Sequence, residues 1–192
     1  MSARLVIMGP QGSGKGTQAA RLATRLGVPA ISTGDIFRAN VKGGTELGTQ
    51  AKAIIDAGDL VPDEITNAMV RDRLDQPDAA AGFILDGYPR NAAQVVALDG
   101  VLADRGSELD AVIELSASRD ELLARLARRA QIEGRADDTE EVISKRLAIY
   151  DEQTAPLTRG YADRGLLVQV DGLGGVDEVT ERLVSALSSR VA

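Results

Sequence analysis

The chain alternates between short apolar runs and longer segments in which apolar residues recur every three to four positions. The short runs have the length of buried strands, and they are Leu5–Met8, Val28–Ile31, Phe83–Leu85, Ala111–Leu115 and Leu166–Val170. The longer segments have helical periodicity, and they are Thr17–Leu26, Asp63–Leu74, Asn91–Arg105, Arg119–Ala130 and Asp177–Leu187. Strands that alternate with helices are typical of βαβ units. The pattern therefore predicts an α/β fold with a five-stranded parallel sheet and helices on both faces.

Two spacings in this pattern are unusual. Residues 32–61 separate the second strand from the next helix of the core, which predicts a small inserted helical subdomain at Ser32–Val61. Residues Gln131–Asp138 are polar and contain a glycine, which predicts a mobile loop. We therefore expect one domain, with a core of residues 1–31, 62–128 and 140–192, an insertion at 32–61 and a short lid at 129–139. Ligands of such sheets bind beyond the carboxyl ends of the strands.

Composition and charge exclude several classes of protein. A hydrophobic content of 44% with 27% charged residues is ordinary for a soluble protein. No apolar run approaches the roughly 18 residues of a membrane span, and Leu5–Met8 is too short for a secretory signal. The net charge of −7 argues against binding to nucleic acids or membrane surfaces. We expect a cytoplasmic protein without a nucleic-acid or membrane partner.

Two absences narrow the chemistry. The sequence contains no cysteine, which excludes thiol nucleophiles and cysteine-based zinc sites. It also contains no histidine, which excludes an imidazole base, a phosphohistidine and a Ser-His-Asp triad. Any chemistry must depend on carboxylates, lysine, arginine, hydroxyls, backbone amides or a bound metal.

The strongest chemical motif is a glycine-rich segment directly after the first strand. Its spacing, Gly9, four residues and then Gly14-Lys15, is that of a P-loop, which binds nucleotide phosphates with backbone N–H groups and a lysine. The predicted ATP-binding residues are Gly12, Ser13, Gly14, Lys15, Gly16 and Thr17. Because Gly16 occupies the usual Ser/Thr position, Thr17 is a weaker candidate for Mg²⁺. Asp86 ends a buried strand and could hold Mg²⁺ through water, although it could also simply form a turn.

These motifs and several others resemble the adenylate kinases, within the nucleoside-monophosphate kinases, over essentially the full chain. The matching stretches are Gly9–Gln18, Ser32–Asp35 with Arg38, Asp56–Asp63, Gly82–Asn91, Gly134–Asp138, Lys145–Leu147 and Thr154–Leu157. The resemblance implies a P-loop NTPase-type fold and a monomeric enzyme. It also implies reversible transfer of the γ-phosphoryl of ATP to AMP, giving two ADP, with Mg²⁺ as cofactor. The lid of this sequence is short and contains no cysteine, so no zinc site is expected.

The resemblance also implies a role for individual residues. It implies catalytic roles for seven residues: Lys15 and Arg90 at the phosphates, Arg129, Arg135 and Arg146 around the transferring phosphoryl, and Asp137 and Asp138 where the lid closes on them. It places the following at AMP: Thr33, Arg38, Asp59, Leu60, Val61, Gly87, Tyr88, Pro89, Arg90, Gln94, Arg135 and Arg146. Arg129 and Gly174 would contact ATP, although the neighbouring Arg128 fits the pattern nearly as well as Arg129. The hydroxyl of Thr33 could bind either the acceptor base or a neighbouring backbone group.

Two positions near the insertion raise separate questions. Asp35 could cap the helix that starts here. Arg38 is a cation in the first turns of that helix, where the helix dipole disfavours it, so an anionic ligand is expected there.

Two alternatives remain at this point. A UMP/CMP kinase would share the fold and most arginine positions, but Thr33 and Gln94 favour adenine. A P-loop switch protein without transferase activity would explain Lys15 and Asp86. It would leave Arg38, Arg90, Arg135 and Arg146 without an anion.

Overall fold

Five parallel strands form one sheet in the order β2-β3-β1-β4-β5. The computed structural model describes residues 3–133 and 139–191. The strands are β1 (Ala3–Met8), β2 (Ala30–Ser32), β3 (Gly82–Asp86), β4 (Ala111–Ser116) and β5 (Leu167–Asp171). The predicted α/β class with a five-stranded parallel sheet is confirmed, and the P-loop follows the central strand.

The two faces of the sheet bury separate apolar clusters because successive residues of a strand point to opposite sides. On β1, Leu5 and Ile7 pack with helices α1 (Lys15–Leu26) and α9 (Val176–Leu187). Val6 and Met8 pack on the other face with α4 (Asp63–Leu74), α5 (Ala92–Ala103) and α8 (Leu157–Asp163). The centre of the sheet is therefore buried on both faces, and there the register pairs Ile7 with Asp86.

Two helices follow β2 before the core resumes. They are α2 (Thr33–Gly43) and α3 (Glu46–Asp56), and they share a small apolar core of their own. Phe37, Ala51 and Val61 are buried there, with Ile55 packed against them. Residues 32–61 thus form a helical layer at the carboxyl end of β2, beside the end of β3.

The region before α7 (Glu140–Ile149) differs from the sequence prediction. Helix α6 (Arg119–Glu133) continues through Gln131–Glu133, which we predicted to be part of a loop. Gln and Glu are good helix formers, whereas the first strong helix breaker of this stretch is Gly134. Residues 134–138, with Arg135, Asp137 and Asp138, lie outside the described residues. Thr139 caps α7, where its Oγ1 accepts a 3.3 Å hydrogen bond from the backbone of Val142.

Helices α7 and α8 are joined by a π-helical turn, Tyr150–Thr154. A single π-turn is a common local feature of functional sites. Across residues 3–133 and 139–191, every helix is too short or too polar to cross a membrane.

Candidate active site

The P-loop adopts a backbone that only glycine supports at several positions. Gly9, Gly12 and Gly14 have φ angles of 146°, 89° and 95°, which side chains other than glycine rarely adopt. A Cβ at Gly9 would lie 2.5 Å from the carbonyl oxygen of Leu115, and one at Gly12 would lie 2.9 Å from that of Leu122. The loop is therefore pressed against β4 and α6.

Lys15 begins α1, and its ammonium lies within this loop. Its Nζ donates a 2.9 Å hydrogen bond to the carbonyl of Pro10. Burial lowers the pKa of Lys15 from 10.5 to about 8; the cations Arg90 and Arg129 add to that effect, and Asp86 opposes it. An anion bound beside Lys15 would therefore stabilise its charged form.

Asp86 and Arg90 come from β3 and the turn after it. A Cβ at Gly16 would lie 3.5 Å from Oδ2 of Asp86, so this carboxylate faces the start of α1. Arg90 donates from Nε to the carbonyl of Gly87 at 2.8 Å. The same carbonyl accepts a 3.0 Å hydrogen bond from Oγ1 of Thr33. Gly87 has a φ of 83°, and a Cβ there would lie 2.8 Å from Thr33 Oγ1.

A cavity of about 600 Å³ lies over these residues. The following predicted site residues line it: Gly12, Gly14, Lys15, Gly16, Thr17, Arg38, Leu60, Asp86, Gly87, Tyr88, Pro89, Arg90, Arg129 and Arg146. Ser13 is buried beneath the loop. Arg129 lines the cavity, whereas Arg128 is exposed, so of these two neighbours the geometry favours Arg129 as the one that faces the cavity.

A second cavity of about 80 Å³ adjoins the first, under the insertion. The predicted residues Thr33, Asp59, Val61 and Gln94 line it, together with the apolar Phe37 and Ile55. The two cavities share the following residues: Gly34, Arg38, Leu60, Gly87, Arg90 and Arg146. The site thus has one side at the P-loop, a smaller compartment of mixed polar and apolar lining under α2 and α3, and arginines at the junction.

The arginines at this junction lie close enough to oppose one another. Burial lowers the pKa of Arg90; Asp86 opposes this, and Arg146 and Arg38 lower the pKa further. A cluster of partly buried cations destabilises the protein unless an anion neutralises their charge. The arrangement therefore fits a ligand that carries several negative charges.

Thr33 and Arg38 differ in part from the sequence interpretation. Of the two partners considered for the Thr33 hydroxyl, the structure supplies the backbone one, the carbonyl of Gly87. The cap of α2 is Ser32, not Asp35, since Oγ of Ser32 accepts from the backbone of Asp35 at 3.2 Å. The carboxylate of Asp35 is instead 2.5 Å from Nη2 of Arg38, so a neighbour partly compensates this cation.

Gln94 is buried, with 2% of its surface exposed. Its Oε1 accepts from the backbone N–H of Arg90 at 2.8 Å. Its Nε2 donates to Oδ1 of Asp63 at 2.7 Å. Asp63 ends the matching stretch Asp56–Asp63, but sequence reasoning gave it no role, since nothing in its spacing links the start of α4 to Gln94.

Helix α7 contacts the insertion directly. Nη2 of Arg146 donates to the carbonyl of Ile55 at 3.0 Å, and Nζ of Lys145 lies 2.7 Å from Oδ1 of Asp59. Arg146 is therefore positioned by α3 as well as by its own helix.

Three further residues of the cavity were not singled out for a role. Arg125 donates to the carbonyls of Gly172 at 3.0 Å and Ser13 at 3.4 Å, which ties α6 to the P-loop. Its position one helical turn before Arg129 was an available signal. Tyr150 and Thr154 also line the cavity, on the π-helical turn. Gly174 has a φ of 107° in the loop after β5, and the described cavity does not include it.

The side-chain oxygens on the cavity wall suit Mg²⁺ only if nucleotide phosphates supply further ligands. Asp86 and the exposed Thr17 supply oxygens on the cavity wall. Among the residues that the structure describes, no cluster of three or more acidic side chains could hold a metal ion. Mg²⁺ is usually bound by one or two carboxylates together with waters and nucleotide phosphates.

The sequence comparisons decide the family. The family model described as adenylate kinase matches residues 7–166. The chain belongs to the adenylate kinase family. It is 61% identical over 184 residues to an adenylate kinase of Kocuria rhizophila, covering 96% of this chain and 98% of the relative. It is 60% identical to adenylate kinases of Thermobifida fusca, over 97% and 99% of the two chains, and of a Nocardioides species, over 96% of each.

Family membership confirms the expected resemblance and the expected enzyme class. An adenylate kinase family enzyme transfers phosphoryl groups between adenine nucleotides, as predicted, and the UMP/CMP kinase and P-loop switch alternatives are set aside. The residues that the resemblance implied for this reaction lie around two adjoining cavities wherever the structure describes them, apart from Ser13 beneath the loop and Gly174 beyond β5.

Proposed function

We propose that the two cavities are the donor and acceptor sites of reversible phosphoryl transfer between ATP and AMP. ATP binds with its phosphates on the P-loop, and AMP binds with its base under α2 and α3. The observation that carries this assignment is the position of Arg38, Arg90 and Arg146, which line both cavities at their junction. A nucleotide on each side would bring its phosphates to these cations.

The chemistry requires charge stabilisation rather than a strong base. The acceptor is a phosphate oxygen that is already anionic near neutral pH. The transition state spreads negative charge over the transferred group, and positioned cations and backbone N–H groups stabilise it. Lys15 and Arg129 serve the donor side, and Arg90 and Arg146 the junction. Arg135 keeps its predicted role at the transferring phosphoryl, Asp137 and Asp138 keep theirs where the lid closes, and Gly174 keeps its predicted contact with ATP.

Mg²⁺ is the cofactor that this proposal includes. Asp86, through water, and Thr17 would hold it beside the phosphates of ATP. When bound, Mg²⁺ neutralises charge on the phosphates. The predicted cytoplasmic location and monomeric state are part of the same proposal.

A coupled assay with ATP, Mg²⁺ and a panel of AMP, CMP, UMP and GMP tests the assignment. We expect AMP to be the preferred acceptor. Arg146→Met should lower kcat/KM for AMP by about 10²- to 10³-fold, as loss of one charge-stabilising group commonly does. Its neighbour Lys145 forms a half-exposed ion pair with Asp59, and such pairs contribute little.

Lys145→Met is therefore the matched control, and we expect it to stay within about threefold of the wild type. Both variants remove one positive charge from adjacent positions of α7. Equal losses in the two variants would contradict the role of Arg146. Absence of transfer to AMP in the wild type would overturn the proposed function itself.

A further inference from the structure

Asp63 lies at the start of α4, outside the lining of both cavities, yet it contacts the side chain that faces the acceptor compartment. Its Oδ1 accepts from Nε2 of Gln94 at 2.7 Å and from Nδ2 of Asn91 at 3.0 Å. We propose that Asp63 is a specificity-determining residue that fixes the amide of Gln94 in the orientation that selects 6-aminopurine over 6-oxopurine nucleotides. This inference rests on the proposed function, since it concerns the base of the acceptor.

Each of the two partners of the Gln94 amide can take part in a hydrogen bond in one direction only. The backbone N–H of Arg90 can only donate, so it requires the oxygen of Gln94 on its side. An ionised carboxylate can only accept, so Asp63 requires the nitrogen on the other side. The orientation of the amide therefore follows from the chemistry of its two neighbours. Reversing it would place donor against donor at Arg90 and acceptor against acceptor at Asp63.

The fixed amide keeps unused hydrogen-bonding capacity. A glutamine amide has two N–H donors and two oxygen lone pairs, and Asp63 and Arg90 use one of each. One N–H and one lone pair of Gln94 remain, and this side chain lines the acceptor cavity. Adenine presents an acceptor at N1 beside a donor at its 6-amino group, which matches this pair. Hypoxanthine presents a donor at N1 beside an acceptor at O6, which requires the reversed amide.

Asp63→Asn would remove half of this restriction. An asparagine amide can turn its oxygen toward the native Gln94 nitrogen or its N–H toward the reversed Gln94 oxygen, and in the second case it gives up the bond from Asn91. The native orientation is kept for AMP, while the reversed orientation loses its acceptor–acceptor conflict. We therefore expect the ratio of kcat/KM for AMP to that for IMP to fall at least tenfold. IMP is the sharpest probe because it differs from AMP only along this edge of the base.

Glu64→Gln is the matched control. Glu64 is exposed in the same first turn of α4, so its substitution changes the net charge and the helix terminus in the same way. It should leave the AMP-to-IMP ratio within twofold of the wild type. Asp63→Ser is the second test variant, because a hydroxyl can also donate or accept and should lower the ratio as asparagine does.

The AMP-to-IMP ratio and the wild-type activity with AMP distinguish failure of this inference from failure of the proposed function. A purely structural role for Asp63 would lower transfer to AMP and IMP in proportion and leave the ratio unchanged, which would overturn the inference. Loss of AMP transfer in the wild type would instead overturn the proposed function. If neither variant folds, the side-chain amide of Gln94 in the wild-type protein, observed by NMR during titration with AMP and with IMP, decides the question. AMP should slow the hydrogen exchange of the second Nε2 proton, which Asp63 does not bind, and an equal response to IMP would overturn the inference.

Discussion

The hydroxyl of Thr154 donates a 2.7 Å hydrogen bond to the backbone carbonyl of Arg90. Thr154 is buried at the end of the π-helical turn, 64 positions along the chain from Arg90. The bond joins the π-helical turn that follows α7, the helix of Arg146, to the turn after β3. It therefore holds the backbone from which the Arg90 guanidinium extends toward the junction of the two cavities.

We predict that Thr154→Val will weaken the acceptor site more than the donor site. Valine has nearly the same shape but cannot donate, so the carbonyl of Arg90 would lose this partly buried bond. A cost of about 0.5–1.5 kcal/mol corresponds to a rise of several-fold in KM for AMP, with KM for ATP little changed. Steady-state kinetics with each nucleotide varied in turn measures this.

Thr158→Val provides the comparison for this effect. Thr158 makes a side-chain bond of the same 2.7 Å length, but to the carbonyl of Ala155. It should reduce stability slightly without a selective change in KM for AMP. If both variants change the kinetics alike, Thr154 only stabilises the helix.

The lowered pKa of Lys15 predicts that ATP binding is coupled to proton uptake. With a pKa of about 8, Lys15 is half protonated at pH 8 in the free protein. The phosphates of ATP favour the charged ammonium, which raises its pKa. Binding at pH 8 should therefore take up about half a proton, and the uptake should vanish at pH 6.5, where Lys15 is already charged.

Calorimetric titration in buffers of different ionisation enthalpy measures the number of protons. Lys15→Arg should bind ATP at pH 8 without this uptake, because arginine stays protonated throughout the range. Proton release at pH 8, or an uptake that persists in Lys15→Arg, would be incompatible with a depressed pKa at Lys15.

A third prediction concerns two buried tyrosines of the core. The hydroxyl of Tyr88 donates to Oδ1 of Asn67 at 2.7 Å and lies 3.2 Å from the carbonyl of Gln94. Within the described residues, the buried hydroxyl of Tyr161 has no hydrogen-bond partner. Tyr88→Phe should lower the free energy of unfolding by about 1–3 kcal/mol, whereas Tyr161→Phe should leave it unchanged or raise it.

Urea denaturation of the two variants beside the wild type measures this difference. The phenylalanine at position 161 keeps the aromatic ring against which Arg164 packs, 5.5 Å from the ring centroid. A loss at Tyr161 as large as that at Tyr88 would indicate that its hydroxyl is satisfied in solution.

The parts of this molecule that were predictable from sequence are those that the backbone dictates. The glycines of the P-loop follow from φ angles and close contacts that exclude side chains, and apolar periodicity located the strands to within a few residues. Arg38 shows the limit of such reasoning. Its place near a helix start implied an anion, but the pattern did not reveal that Asp35 approaches it.

The hydrogen bonds around Gln94 could not be predicted from the sequence, for a related reason. Gln94 and Asp63 lie on helices far apart in sequence, and whether their side chains meet depends on how α4 and α5 pack. Polar residues at helix starts are ordinary caps in isolation. The end of α6 was misplaced because a polar composition was taken for a loop, although Gln131–Glu133 has good helical propensity.

The carbonyl of Gly87, which accepts from both Thr33 and Arg90, is an acceptor that no substitution at position 87 can remove. Every residue type has the same backbone oxygen, so a mutation at position 87 only adds a side chain. Any addition meets the Thr33 hydroxyl, 2.8 Å from where a Cβ would stand. A saturation library should therefore tolerate several residues at position 33 and glycine alone at position 87. A mutation of residue 87 can therefore disturb the acceptor site only by adding a side chain that clashes with Thr33, and never by removing the carbonyl oxygen.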